Sequence, residues 1–185
     1  MRELILGGQR SGKSRCAEQR VAAWLAQAGH EALLIATALP GDDEMRARID
    51  QHRHDRAERV PGLLTEEVPH GLAQALFQHS APQRMLVVDC LTLWLTNLLM
   101  PLDGSALDAE TWALKRSALC NALQVASGPV VLVSNEIGMG LTPMTRETRN
   151  FVDELGRLHQ VVAELCPRVT LMVAGIEVPV KRRAA

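Results

Sequence analysis

Three groups of residues have types and spacings suited to chemistry. Gly7, Gly12, Lys13 and Ser14 stand in the order G-x-x-x-x-G-K-S, in which glycines let successive backbone N–H groups close around phosphate oxygens at the start of a helix. Lys13 would reach the β- and γ-phosphates, and Ser14 would ligate Mg²⁺. The second group is Asp89, which ends the apolar run Met85-Leu86-Val87-Val88. A carboxylate at the C-terminal end of a core strand, beside such a loop, helps hold the same ion. An Asp just before Leu91 also reads as a helix cap, and one residue can do both. The third group is the cationic and protonatable run Arg46, Arg48, His52, Arg53, His54 and Arg56. At helical spacing Arg48, His52 and Arg56 share a face, which sets an imidazole between two guanidiniums. Neighbouring positive charge favours the neutral ring, the arginines suit a triphosphate, and a neutral His against phosphates is a nucleophile. The competing reading is a solvated helix face, and His54 points elsewhere on the helix.

The elements that must position these groups follow from periodicity. Leu4-Ile5-Leu6 reads as a strand feeding the glycine loop, and Ala17, Val21, Trp24, Leu25 and Ala28 as one face of the next helix, stopped by Gly29. Ala32 to Ala36 is a short apolar run without alternation, as in a parallel strand buried on both faces. Asp42-Asp43 can cap a helix running to about Arg56, with only Met45 and Ile49 as an apolar stripe. The stretch from Arg59 to Pro69 reads as an irregular excursion with a short strand at Leu63 to Val68. Helices follow at Gly71 to His79, along Leu91 to Leu99 and up to Ala126, with strands at Met85 to Asp89 and Val130 to Val133. Phe151, Leu155, Leu158, Val162 and Leu165 mark an amphipathic helix, and Val169 to Val173 with Val178 to Val180 suggests an edge hairpin. Alternating strands and helices give an α/β fold: one P-loop NTPase-like domain over residues 1–185, its sheet mostly parallel with helices on both faces.

Composition bounds the partners. With 185 residues, 47% apolar, 22% charged and a formal net charge of −1, the chain has the balance of a globular domain and no broad basic field for nucleic acid or anionic membrane. No apolar run approaches the ~18 residues of a membrane span, and the first strand starts at once, so the expectation is a cytoplasmic protein. Cys16, Cys90, Cys120 and Cys166 are far apart and are expected to be small buried apolar residues rather than a zinc or disulfide set.

The loop announces a nucleotide without saying what is done with it. A GTP switch would carry N-K-x-D late in the chain, where Ser134-Asn135-Glu136 stands instead. A motor ATPase would need sensor and arginine-finger modules that leave little room here. A small-molecule kinase fits best, with a nucleotide-binding regulatory module as the non-enzymatic alternative.

The combination of Gly7-Gly8-Gln9-Arg10-Ser11-Gly12-Lys13-Ser14, Ile35-Ala36-Thr37, Asp42-Asp43-Glu44-Met45, Arg48-Ile49, His52-Arg53, Asp89-Cys90-Leu91-Thr92, Asn97-Leu98 and Asn135-Glu136-Ile137-Gly138-Met139-Gly140 resembles the bifunctional adenosylcobinamide kinase / adenosylcobinamide-phosphate guanylyltransferase family of cobalamin biosynthesis. The resemblance spans almost the whole chain. It implies two reactions: phosphorylation by ATP or GTP of the aminopropanol hydroxyl of adenosylcobinamide, then transfer of GMP from GTP to that phosphate through a guanylyl-histidine. The matching histidine is His52. Beyond the loop, the resemblance implies nucleotide contacts at Ala36, Thr37, Ala38, Arg53, His54, Asp55, Arg56, Glu67 and Asp89, Mg²⁺ at Ser14 and Asp89, and a homo-oligomer, a trimer. His159 departs from the family pattern, which has Asn before Gln160, and is expected to be structural.

Overall fold

The computed structural model describes residues 1–41 and 43–182, except for the side chain of Arg48. The chain runs β1 (Arg2–Gly7), α1 (Lys13–Leu25), β2 (Glu31–Ala36), α2 (Asp43–Arg59), β3 (Leu64–Glu67), α3 (Leu72–His79), β4 (Arg84–Asp89), α4 (Leu91–Leu99), α5 (Ala109–Val125), β5 (Val130–Asn135), α6 (Arg146–Leu165), β6 (Arg168–Val173) and β7 (Ile176–Arg182). One sheet takes the described strands in the order β3-β2-β4-β5-β1-β6-β7. Every pairing is parallel except that of β6 with β7.

The short apolar runs form strands because both faces of the sheet are covered. Leu4, Leu33, Ile35, Leu86, Val88, Val130 and Leu132 point into one core with α3, α4, α5 and α6. Their chain neighbours Ile5, Leu34, Met85, Val87, Val131 and Val133 point into a second core under α1. The period of two thus shows as membership of alternate cores rather than as polarity. Helices lie on both faces as expected, with four on one side.

Two expectations need adjustment, those for residues 59–69 and for Cys120. Residues 59–69 are not an excursion: α2 continues to Arg59, and β3 joins the sheet as its edge, Leu64 opposite Leu33 and Glu67 opposite Ala36. Buried Val60, with Leu63 packed on the second core, anchors the return. The last helix begins at Arg146, ahead of its apolar face, because the Thr145 hydroxyl caps it by accepting from the Thr148 N–H at 3.2 Å. Cys16, Cys90 and Cys166 are buried as expected, but Cys120 is only half-buried. Asp42, expected to start α2, lies outside the described residues.

The parallel arrangement has one consequence for the site. Gly7, Ala36, Glu67, Asp89 and Asn135 are the last residues of β1, β2, β3, β4 and β5, so the sheet delivers them to a single edge, where ligands of open α/β sheets bind.

Candidate active site

The loop at residues 7–12 is built to receive an anion. Gly12 has φ 101, a left-handed conformation that favours glycine, and α1 starts directly after it with no side-chain cap and no acidic residue in its first turn. The positive end of its dipole therefore faces the loop and favours an anionic ligand there. Lys13 Nζ donates to the Gly8 carbonyl at 2.7 Å, which holds the ammonium over the loop. Ser11 Oγ is buried and has no hydrogen-bond partner among the described residues; a phosphate oxygen is the kind of group that would satisfy it. From behind, the β6–β7 turn supports the loop: the Gly175 N–H donates to the Ser11 carbonyl at 2.9 Å.

Ser14 and Asp89 meet across the sheet, the Ser14 hydroxyl donating to Asp89 Oδ2 at 2.9 Å. Two hard oxygen donors at the head of a phosphate-binding helix suit Mg²⁺, which takes few protein ligands and fills its octahedron with phosphates and water. No cluster of three or more His, Cys, Asp or Glu side chains able to hold a metal is found among the described residues.

A cavity of about 650 Å³ opens in front of these groups. Its walls include Gln9, Arg10, Ser11, Gly12, Lys13 and Ser14 from the loop and the start of α1, Ala36 at the end of β2 and Ala38 just beyond it, Asp89 at the end of β4, and Glu67 at the end of β3. Helix α2 closes the far side with His52, Arg53, Asp55 and Arg56. The imidazole of His52 is exposed and shares this cavity with the phosphate loop. Arg53 pairs with Glu67 and lies 3.8 Å from Asp50. Arg56 is half-buried: burial works against its charge, while Asp89 and Glu18 support it. Arg59 reaches Glu18 of α1 at 3.1 Å and Asp55 at 2.9 Å, tying the end of α2 to the body.

Four residues implied by the resemblance stand apart from the cavity wall. Gly7 and Gly8 act through the backbone behind it. A side chain on Gly7 would come within 2.5 Å of Ser11 Oγ and 2.6 Å of the Met172 carbonyl. His54 turns outward to Glu58 at 3.3 Å, as the helical spacing predicted. Thr37 is fully buried, with its hydroxyl bonded to the backbone of Cys90. Sequence reading also missed wall residues: Asn135, Arg59 and Thr65 line the cavity too. Asn135 was findable as the polar end of a buried strand, whereas Arg59 depended on the length of α2.

His159 is buried, as a structural residue would be. Its Nε2 lies 2.7 Å from Ser134 Oγ and its Nδ1 3.6 Å from Glu136 Oε2. Ser134 continues to Thr92 Oγ1 at 3.0 Å, which accepts from the Asn135 N–H at 2.7 Å. Burial pushes the imidazole below its ordinary 6.5, and Glu136 works the other way. Although Ser134, His159 and Glu136 follow the order of a hydrolase triad, Ser134 is fully buried and so cannot meet a substrate. The group instead pins the end of β5, where the Glu136 N–H also donates to the Gly7 carbonyl at 2.9 Å.

Comparison with known proteins agrees with this architecture. The model of the family described as cobinamide kinase / cobinamide phosphate guanyltransferase matches residues 3–180. A bifunctional adenosylcobalamin biosynthesis protein of Pseudomonas aeruginosa, CobP, is 49% identical over 181 residues, covering 98% of each chain. Its counterparts named CobU in Escherichia coli and Salmonella typhimurium are 36% and 37% identical, each alignment covering 96% of this chain and 98% of the relative. Among solved structures, the flagellar accessory protein FlaH of Methanocaldococcus jannaschii superposes with a TM-score of 0.53 at 10% identity, covering 98% of this chain and 78% of its own. That last likeness concerns the fold alone.

Proposed function

The chain belongs to the cobinamide kinase / cobinamide phosphate guanyltransferase family, and from that membership we propose how one cavity serves both reactions. The protein is an enzyme with both activities, and nucleotides are its phosphoryl and guanylyl donors. In the first half, the hydroxyl on the aminopropanol arm of adenosylcobinamide attacks the γ-phosphorus of ATP or GTP. The bond to the leaving nucleoside diphosphate breaks and the alcohol becomes a phosphate ester. The loop amides, the α1 N-terminus and Lys13 hold the phosphates and stabilise charge as it builds on the transferring group. Ser14 and Asp89 would hold Mg²⁺, whose contribution is to neutralise phosphate charge.

In the second half, a ring nitrogen of His52 attacks the α-phosphorus of GTP. Pyrophosphate leaves and GMP is joined to His52 through a P–N bond. The phosphate of adenosylcobinamide phosphate then attacks the same phosphorus, the P–N bond breaks, and adenosylcobinamide-GDP forms with His52 regenerated. Covalent catalysis divides one difficult displacement between anions into two easier ones. Arg53 and Arg56, next to His52 on the cavity wall, are suited to the triphosphate. One observation carries this reading: His52 opens into the same cavity as the phosphate loop and the Ser14–Asp89 pair.

Incubation with α-labelled GTP tests it. The expected result is protein-bound label that is absent in His52→Ala and is chased into product by adenosylcobinamide phosphate. Unlabelled protein under conditions where GTP binds would leave a kinase or a binding module.

We further propose that one domain carries both activities in the cytoplasm and that copies associate as a trimer. Exposed Ile176, Val178 and Val180 on the edge strand β7 support association, which sedimentation would measure. No helix among the described residues is long and apolar enough to cross a membrane.

A further inference from the structure

Thr37 lies at the end of β2 between two cavity-lining alanines, yet all its polar atoms are turned away from the cavity. Its N–H donates to the Asp89 carbonyl at 3.1 Å. Its hydroxyl accepts from the Cys90 N–H at 2.8 Å and donates to the Cys90 carbonyl at 2.7 Å. Its own carbonyl accepts from the Asn97 side-chain amide at 2.8 Å, and the same amide donates to the Pro69 carbonyl at 3.1 Å. The side chain is completely removed from solvent. Three of these bonds end on the two residues that set where the Asp89 carboxylate points, and that carboxylate meets Ser14 at 2.9 Å.

A sheet needs none of this to hold β2 beside β4. The ladder already pairs Ala36 with Asp89, and a buried valine would fill the volume of Thr37. Threonine adds one atom able both to give and to take a hydrogen bond, and both capacities are spent on Cys90. Without it the buried N–H of Cys90 would lose its partner, while the carbonyl would keep only the Trp94 N–H at 3.1 Å. We propose that Thr37 is a positioning residue for Asp89, braced in turn by Asn97, and acts on the reaction by fixing the carboxylate that meets the nucleotide-borne cation rather than by touching nucleotide. The inference rests on the reading of Ser14 and Asp89 as a Mg²⁺ site. It reassigns a position that the resemblance implied as a nucleotide contact.

The test uses Mn²⁺ as a spectroscopic substitute for Mg²⁺ in the complex of the full-length protein with a nonhydrolysable GTP analogue, with bound metal counted by electron paramagnetic resonance. Thr37→Val should weaken Mn²⁺ binding by about 10- to 100-fold, the range found when groups that orient metal ligands are removed. Affinity for the analogue in EDTA should be unchanged. Thr37→Ser, which keeps the hydroxyl, should restore Mn²⁺ binding. Equal metal affinity in Thr37→Val and the unsubstituted protein overturns the inference. So does a loss of analogue affinity in EDTA as large as the loss with metal, which would make Thr37 a nucleotide contact. Failure of the unsubstituted complex to bind Mn²⁺ overturns the underlying Mg²⁺ reading together with the inference, and is thereby told apart from failure of the inference alone. Should Thr37→Val not accumulate as folded protein, Asn97→Ala carries the same measurement: severalfold weaker Mn²⁺ binding is expected, and unchanged binding overturns the brace.

Discussion

At the scale of single residues, neighbours in sequence take opposite roles. Ala36 and Ala38 line the cavity while Thr37 is buried between them, and His52 opens into it while His54 faces Glu58. The helical period made the second contrast legible in advance. The first was hidden, because a three-residue turn after a strand has no period from which to read direction. His159 supplies a prediction with a sign. Its folded value lies below the ordinary 6.5, so between the two the unfolded chain binds the proton that the folded chain refuses. The stability it contributes is complete above about pH 6.5 and is lost as pH falls from there through the lower folded value. Denaturant titrations at about pH 7.5 and about pH 5.5 should show a fall that His159→Asn reduces. An identical fall in the variant would assign the acid sensitivity to other groups.

Among the elements, α2 differs from the rest in how it is held. The other helices cover apolar cores, and their periodicity was visible in the sequence from Ala17 to Leu165. Helix α2 has only half-buried Met45 and Ile49 on its apolar side and is tied down by charges, Arg59 to Glu18 of α1 and Arg53 to Glu67 of β3. Its extension past Arg56 and the docking of β3 escaped sequence reading for the same reason: both depend on tertiary contacts, those of Val60 and of the Glu18–Arg59 pair, and not on local pattern. On the proposed reading, the groups that hold phosphate and the nucleophile stand on different elements. Lys13, Ser14 and Asp89 stand on α1 and β4, whereas His52 rides on α2. Glu18→Gln, which loosens the tether of α2 and removes support for the charge of Arg56 on the same helix, should slow guanylylation of the protein severalfold more than it slows phosphorylation of cobinamide. Rates of the two half-reactions measured side by side check this, and an equal loss in both would mean that the tether does not position His52.

For the molecule as a whole, the strand order sets the phosphate loop in the interior of the sheet, with β5 on one side of β1 and β6 on the other. The fold class and the gathering of strand ends at one edge were legible from the alternation of buried strands and helices. What lay beyond reading was the contact between the loop and the distant β6–β7 turn, where Ala174 and Gly175 both have positive φ, 52 and 80. Gly175→Val would strain that turn, at a cost of about 1–3 kcal/mol, and would displace the donor to Ser11. Nucleotide binding should weaken well beyond what the small drop in melting temperature explains. Titration with a fluorescent nucleotide alongside a melting curve decides it, since unchanged affinity would show that the turn supports only the hairpin. The same wiring has a consequence for how the protein is made. A ribosome adds about 5–20 residues per second, and strand β1 has fully buried Leu4 and Ile5 whose partner strands β5 and β6 start at Val130 and Arg168. The nascent chain must therefore carry an unpaired, oily β1 for roughly six to thirty seconds. The loop after β1 gains its contact at the Ser11 carbonyl only once the turn at Gly175 has left the exit tunnel, so a translation product stopped short of that turn is expected to bind nucleotide more weakly than the whole chain, which titration of the two would measure.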